Sequence, residues 1–402
     1  MRTHDADIGP STERPVPARS SEAKGAIPHA LVEPGGGFLT PAAVLHLQRA
    51  VGNAAVTSLL NPQRRRPLAV QRYEIEGPFD INDPVHETIT QEALKQAGMI
   101  GPKAKYSDKE AWEYARGAMW NDDPQGELFD KNKKQTDDYS SGLQWYRHFS
   151  GFEKRAGKGE QFGPDAELLA RSHFGDLQFL HGMAADMEKA SVTRAHMMMW
   201  AEFTYKVAIG EIPVTTRLGA VTVPGFVELF PKQKQFTVND LFQVAEVGDA
   251  TKRAAGSLMH MIQDSYASGH TERTAEAGGH KGGVVSFHSY VHQSHRKHDA
   301  SDKLPPGKES DVEKLSRLPG ATDAVAKSAQ ILKLIKDKKP WEDAELYLKL
   351  EVFNLEPMTR PASAGKDFKE DSDKTPEPAL ELTEPLPPVN DAIVRETGVR
   401  AG

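Results

Sequence analysis

The stretch HMIQDSYASGH places His260, Asp264 and His270 within eleven residues. His260 and Asp264 are four apart, so on a helix their side chains share one face, one turn above the other. His270 falls off that face, but Gly269 can end the helix and fold the histidine back toward the same point. Such a set suits a metal ion. The chain contains no Cys, which excludes disulfides, thiolate metal sites and a Cys nucleophile, so any metal must be held by His, Asp or Glu.

Of fifteen His in the chain, seven lie between His260 and His298. The run FHSYVHQSHRKHDASD repeats the four-residue spacing twice, as His295 with Asp299 and as His298 with Asp302. The two pairs are offset by three residues, so one of them points inward, and His298 with Asp302 is the preferred one. Upstream, DPVHETIT carries His86, GAMWNDDP carries Asp122 and Asp123, and WYRHFSGF carries His148, with His173 in RSHFGDLQF as its competitor. Asp123, or Asp122 itself, is equally suited to capping a helix in NDDP. His173 and His181 both lie among Leu177, Phe179 and Leu180 on an expected helix, where a hydrogen-bonded core histidine is the common outcome. Brought into one cavity, His86, Asp122, His148, His260, Asp264, His270, His298 and Asp302 would supply eight N/O ligands, enough for two or three zinc ions with open positions for water.

The elements that must position these residues read as helices. Helical periodicity recurs in HETITQEALKQAGM, DAELLARSHFGDLQFLHGMAADMEKA, TVNDLFQVAEV, DATKRAAGSLMHMIQDSY and VAKSAQILKLIKD. Residues 212–225, IPVTTRLGAVTVPG, are the best β-hairpin candidate. The expected fold is mainly α, a multi-helix domain over residues 73–355 with at most a small β-hairpin. Residues 1–38, with scattered Pro and a Gly35-Gly36-Gly37 run, read as a disordered leader, and residues 356–402 as a disordered Pro-rich tail. Between leader and domain, residues 39–72 hold an amphipathic helical segment and the basic linker NPQRRRPLAVQR. A net charge of −7 argues against whole-surface capture of nucleic acid. The N-terminus lacks a signal peptide's apolar core, and the apolar run at residues 195–210 is too short and too charged to span a bilayer.

In ligand order the chain resembles the zinc-dependent phospholipase C and S1/P1 nuclease superfamily. The resemblance rests on HMIQDSYASGH as His-xxx-Asp-x5-His, the early His in DPVHETIT, Trp-x-Asp in WND, His-Phe in RHF and the later His-xxx-Asp, over roughly residues 73–302. It implies that Asp122 and His148 join His260 on a first zinc, that His270, His298 and Asp302 hold a second, and that His86 binds a third, with Asp264 bridging first and third. It also implies phosphodiester hydrolysis by metal-activated water, with Asp122 as the proton acceptor. Family members use the amine and carbonyl of an N-terminal Trp as ligands to the third zinc. Here the alternatives are a new terminus near Phe79, a substitute such as Asp80 or Asp83, or a two-metal site.

LQRAVGNAAVTSLL, within residues 39–60, resembles the N-terminal segment of cargo toxins of bacterial extracellular contractile injection systems. That implies an effector loaded into a particle in the producer's cytoplasm, delivered with it and needing no signal peptide; a monomer is expected. DSYASGHTER, residues 264–273, is closer to phospholipase-like members, whereas Asp rather than Glu at the final ligand leans toward the nuclease branch. The expected activity is thus of phospholipase C type, with a single-strand nuclease effector as the runner-up and a non-enzymatic cargo protein as the alternative from another class.

Overall fold

The computed structural model describes residues 84–128, 139–243 and 248–383, with backbone alone for residues 139–144, 295 and 299. The leader, the helical segment at residues 39–60, the basic linker, Phe79, Asp80 and Asp83 lie outside the described residues. The described chain is mainly α. It runs through α1 (Val85–Gln96), α2 (Lys109–Trp120), α3 (Tyr139–Ala156), α4 (Leu168–Phe174), a 3₁₀ turn (Gln178–His181), α5 (Ala190–Ile209), α6 (Phe226–Leu229), α7 (Val238–Leu241) and α8 (Ala250–Asp264). An antiparallel pair follows, β1 (Thr271–Ala275) with β2 (Lys281–Phe287). Then come α9 (His295–Asp302), α10 (Asp311–Leu315), α11 (Ala321–Lys336), α12 (Trp341–Tyr347), a π turn, and the short pair β3 (Met358–Thr359) with β4 (Glu381–Leu382).

α8 is the element on which the others are assembled. Asp249 caps it by accepting from the backbone N–H groups of Thr251 and Lys252, and Ala, Leu, Met and Lys carry it forward as good helix formers. It is buried without a gap from Arg253 to Asp264, packed by α1, α2, α5 and α11. Ala254, Ala255, Leu258, Met259, Met261 and Ile262 make it apolar on most sides. Ser257, His260 and Asp264 fall three and four apart and form one polar stripe inside the core.

α2 crosses α8 in backbone contact. A Cβ on Gly117 would lie 2.2 Å from the Arg253 carbonyl oxygen, and one on Gly256 would lie 2.2 Å from that of Tyr114, so only glycine allows this approach. The crossing delivers Asn121 and Asp122, just past the end of α2, to the His260 turn. Asn121 fixes the junction: its Nδ2 donates to the Leu180 carbonyl at 2.6 Å, and its Oδ1 accepts from Ser257 Oγ at 2.6 Å. The Met-rich run of residues 195–210 lies in α5 up to Ile209, with Gly210 as its left-handed cap and Met197, Trp200 and Phe203 in the core. Among the described residues no helix is long and apolar enough to cross a membrane.

Two expectations change. Residues 212–225 form no hairpin; they make turns and a 3₁₀ segment, Leu218–Ala220, with a single bridge from Arg217 to Thr237. Pro213 and Pro224 lack ladder donors, and Leu218, Val221 and Val223 are buried one at a time. The hairpin forms instead at β1 and β2, directly after His270. The domain also does not stop at residue 355. Ala362, Ser363, Ala364 and Lys369 are buried, Ser294 N–H donates to Phe368 O at 2.6 Å, and the Phe368 ring packs 6.4 Å from that of His298. Residues 356–383 read as a tail because their Pro and charge content hides these few anchoring positions.

Candidate metal centre

Nine side chains converge around the polar stripe of α8: His86, Asp122, His173, His181, His260, Asp264, His270, His298 and Asp302. None is more than 1 % exposed. Three carboxylates shut away from water at this density need cationic partners or protonation, because an isolated buried charge is prohibitively costly.

Asp264 is the hub. Its Oδ2 lies 2.9 Å from His260 Nε2, 3.2 Å from His181 Nδ1 and 3.5 Å from His270 Nδ1, while Oδ1 lies 3.3 Å from His86 Nε2. Burial alone would push its carboxyl up, but His270, His260 and His86 outweigh burial and hold it well below the usual carboxylate range. Burial disfavours the charged form of His86, yet Asp264 and Asp122 raise it above the ordinary histidine value. The two shifts are one attraction seen from both ends. A cation between these atoms would compete with the proton for the same lone pairs.

His86, near the start of α1, is aimed by α8 itself. Its Nδ1–H donates to Gln263 Oε1 at 2.7 Å, and Gln263 Nε2 donates to Thr90 Oγ1 at 3.0 Å, which turns His86 Nε2 toward Asp264, where it can take a proton or a metal ion. His270 repeats the device: its Nδ1 is 2.7 Å from the His181 carbonyl oxygen, which can only accept, so Nδ1 carries the proton and Nε2 the lone pair. Fixing the tautomer through the second nitrogen is how proteins orient metal-ligating histidines.

Asp122 stands across the stripe, with Oδ2 3.8 Å from His260 Nδ1 and Oδ1 3.8 Å from His181 Nδ1. His298 and Asp302 lie one turn apart on α9. Asp302 Oδ2 is 3.1 Å from His298 Nε2 and 3.5 Å from His270 Nε2, and its Oδ1 accepts from Ser301 Oγ at 2.8 Å. Burial raises the Asp302 carboxyl pKa, partly opposed by His270.

Among the described residues four groups could hold a metal ion: His86, Asp122 and His260; Asp122, His173 and His181; His181, His260 and Asp264, these three sharing members; and, separate from them, His270, His298 and Asp302. Within each, ligand atoms lie within 4.8 Å of one another. The donor set fits a nitrogen- and oxygen-ligated divalent ion.

Seven of the eight residues expected from the sequence come together here, and His148 does not. It lies on α3 with its Nδ1 2.7 Å from Glu127 Oε1 and its side chain 43 % exposed. The inward positions of that helix belong to Trp145, Phe149 and Phe152. His181 and His173 stand where His148 was expected. Leu177, Phe179 and Leu180 around His181 in the sequence point to a core residue rather than a ligand. The available signal was Gly182, whose left-handed conformation ends the 3₁₀ turn and leaves His181 at its last position. Asp123 is separated from Asp122 by its role: it accepts from the backbone of Glu127 and Leu128 at 2.8 and 3.0 Å and faces Arg116. Burial pushes its carboxyl up to about 6 against the pull of Arg116. The competing pair, His295 and Asp299, falls outside the described side chains.

Comparisons with models of known protein families, with curated proteins and with solved structures find no match to this chain.

Proposed function

We propose that this chain is a zinc-dependent phosphodiesterase of phospholipase C type, carried as cargo of a contractile injection particle through residues 39–60. The observation that supports it most is the continuous line of buried His and Asp from His86 through Asp264 to Asp302, with lone pairs set by second-nitrogen hydrogen bonds. His86, Asp122, His181, His260 and Asp264 would hold zinc at one end, and His270, His298 and Asp302 at the other. Bound zinc supplies Lewis acidity toward a phosphoryl oxygen and a water acidic enough to ionise near neutral pH.

The protein's own share is placement and proton handling. Asp264 stays ionised among its histidines and keeps both groups in one register. Asp122, a buried carboxylate within 3.8 Å of two imidazoles, is the group to accept a proton from the attacking water and pass it on. The aromatic wall of Trp145, Phe149 and Phe174 keeps bulk water away from the His173 end.

The test is zinc-loaded full chain assayed on phosphatidylcholine vesicles and on single-stranded DNA and RNA. Release of phosphorylated headgroup, lost in Asp264→Ala, is the expected result. Cleavage of nucleic acid with inert vesicles would replace this reading by the nuclease one, which Asp302 at the final ligand position favours. Tight zinc binding with neither activity would leave a non-enzymatic cargo protein.

A further inference from the structure

The cluster holds one histidine more than the eight ligands the resemblance supplies, since both His173 and His181 stand where one was expected. The two are not equivalent. His181 directs Nδ1 toward His260 Nε2, 2.8 Å away, and toward Asp264. Its Nε2 is buried with no hydrogen-bond partner among the described residues, a cost to the fold unless something engages it. His173 reaches the same region from α4. Its Nδ1 lies 2.8 Å from Ser172 Oγ and 3.0 Å from the Leu169 carbonyl oxygen; the Ser172 hydroxyl itself donates to that carbonyl at 3.2 Å, and with Nδ1 as the donor to these oxygens Nε2 keeps the lone pair. The ring is held edge-on by Phe149 at 5.1 Å and sits 5.1 Å from the His181 ring.

A core histidine with only a structural task looks different in this same protein. His288 also has Nδ1 near a carbonyl, that of Gly269 at 3.0 Å, but a Cβ on Gly365 would lie 2.8 Å from its Nε2. That nitrogen meets backbone and belongs to none of the groups able to hold a metal. His173 instead has ligand atoms of a carboxylate and of a second imidazole within 4.8 Å.

We infer that Asp122, His173 and His181 form a further divalent-cation position, additional to those held through Asp264 and through Asp302. The inference rests on the metal-dependent reading above and extends it: the ligands at this end come from the chain just past α2, from α4 and from the 3₁₀ turn, and none is a chain terminus. Asp122 would then be shared with the His86 and His260 group, and His181 with the His260 and Asp264 group.

The experiment is an anomalous difference map at the zinc edge from crystals of the full chain grown with zinc. A peak among Asp122, His173 and His181, beside peaks at the other groups, is the expected result. Peaks at the other groups with none here overturn the inference and leave the proposed function standing; no peak anywhere overturns both. In solution, His173→Gln should lower the zinc content by about one equivalent while the remaining ions bind as tightly as before, and an unchanged zinc count would also overturn it.

Discussion

The two ends of the cluster are built differently. At the Asp264 end the ligands sit on or against long helices, α1 and α8, whose positions are fixed by backbone contact with α2 and by the Asn121, Ser257 and Leu180 hydrogen bonds. At the Asp302 end, His298 and Asp302 lie on the eight-residue α9, which has no side-chain N-cap and is held by the strand of chain around Phe368. Rigid helices place the first set, while irregular chain pinned at a few points places the second. The first should therefore fail with the fold, and the second should fail alone.

The largest effect expected is at the helix crossing. Gly256→Val forces side-chain atoms into the Tyr114 backbone, and we expect a loss of about 3 kcal/mol or more, or no folded protein, as read by thermal denaturation. A near-normal melting temperature would mean that the crossing is not what fixes the Asp264 end.

Next is His298→Ala, which removes a ligand from the end built on short elements. Metal at the Asp302 end should be lost and activity should fall by roughly 10³-fold, with the fold and the metal at Asp264 retained. Simultaneous loss of all metal would show the two ends to be one cooperative unit.

A third test uses His288, which supports the loop between the ends. Burial depresses its pKa to about 4. The folded pKa is thus below the unfolded value, the unfolded chain takes up more protons, and the stability contributed is full above about pH 6.5 and lost as pH falls toward 4. That amounts to about 3 kcal/mol. His288→Asn should flatten the acid limb of the stability curve by about this amount, and identical limbs in both proteins would refute the assignment.

The smallest effect is at His148, outside the cluster. His148→Ala should change stability by no more than about 0.5 kcal/mol and leave the zinc content unchanged. Loss of an ion there would return His148 to the site.

The Asp264 end was legible because its ligands repeat at helical spacing through HMIQD; α8 ends at Asp264 with Ser265 as its cap, and the turns over residues 263–270, with Gly269 in no left-handed conformation, bring His270 inward. His298 with Asp302 was readable for the same reason. His181 was not, since a histidine in an apolar turn has no periodicity to declare its direction. His148 was misplaced because α3 turns Trp145 and Phe149 inward instead, and residue type alone does not reveal which face a helix buries when both faces carry aromatics. The hairpin at β1 and β2 escaped notice because its strands are interrupted by two register shifts, whereas the cleaner valine alternation at residues 212–225 only reflects separate burial in turns.

The central claim is that this buried cluster is a metal centre, and the most direct test is the zinc content per chain of protein purified without chelator, measured by elemental analysis beside folded Asp264→Ala. About two or more equivalents, falling sharply in the variant, is the result the account predicts. A folded, zinc-supplemented chain with no bound metal would contradict it.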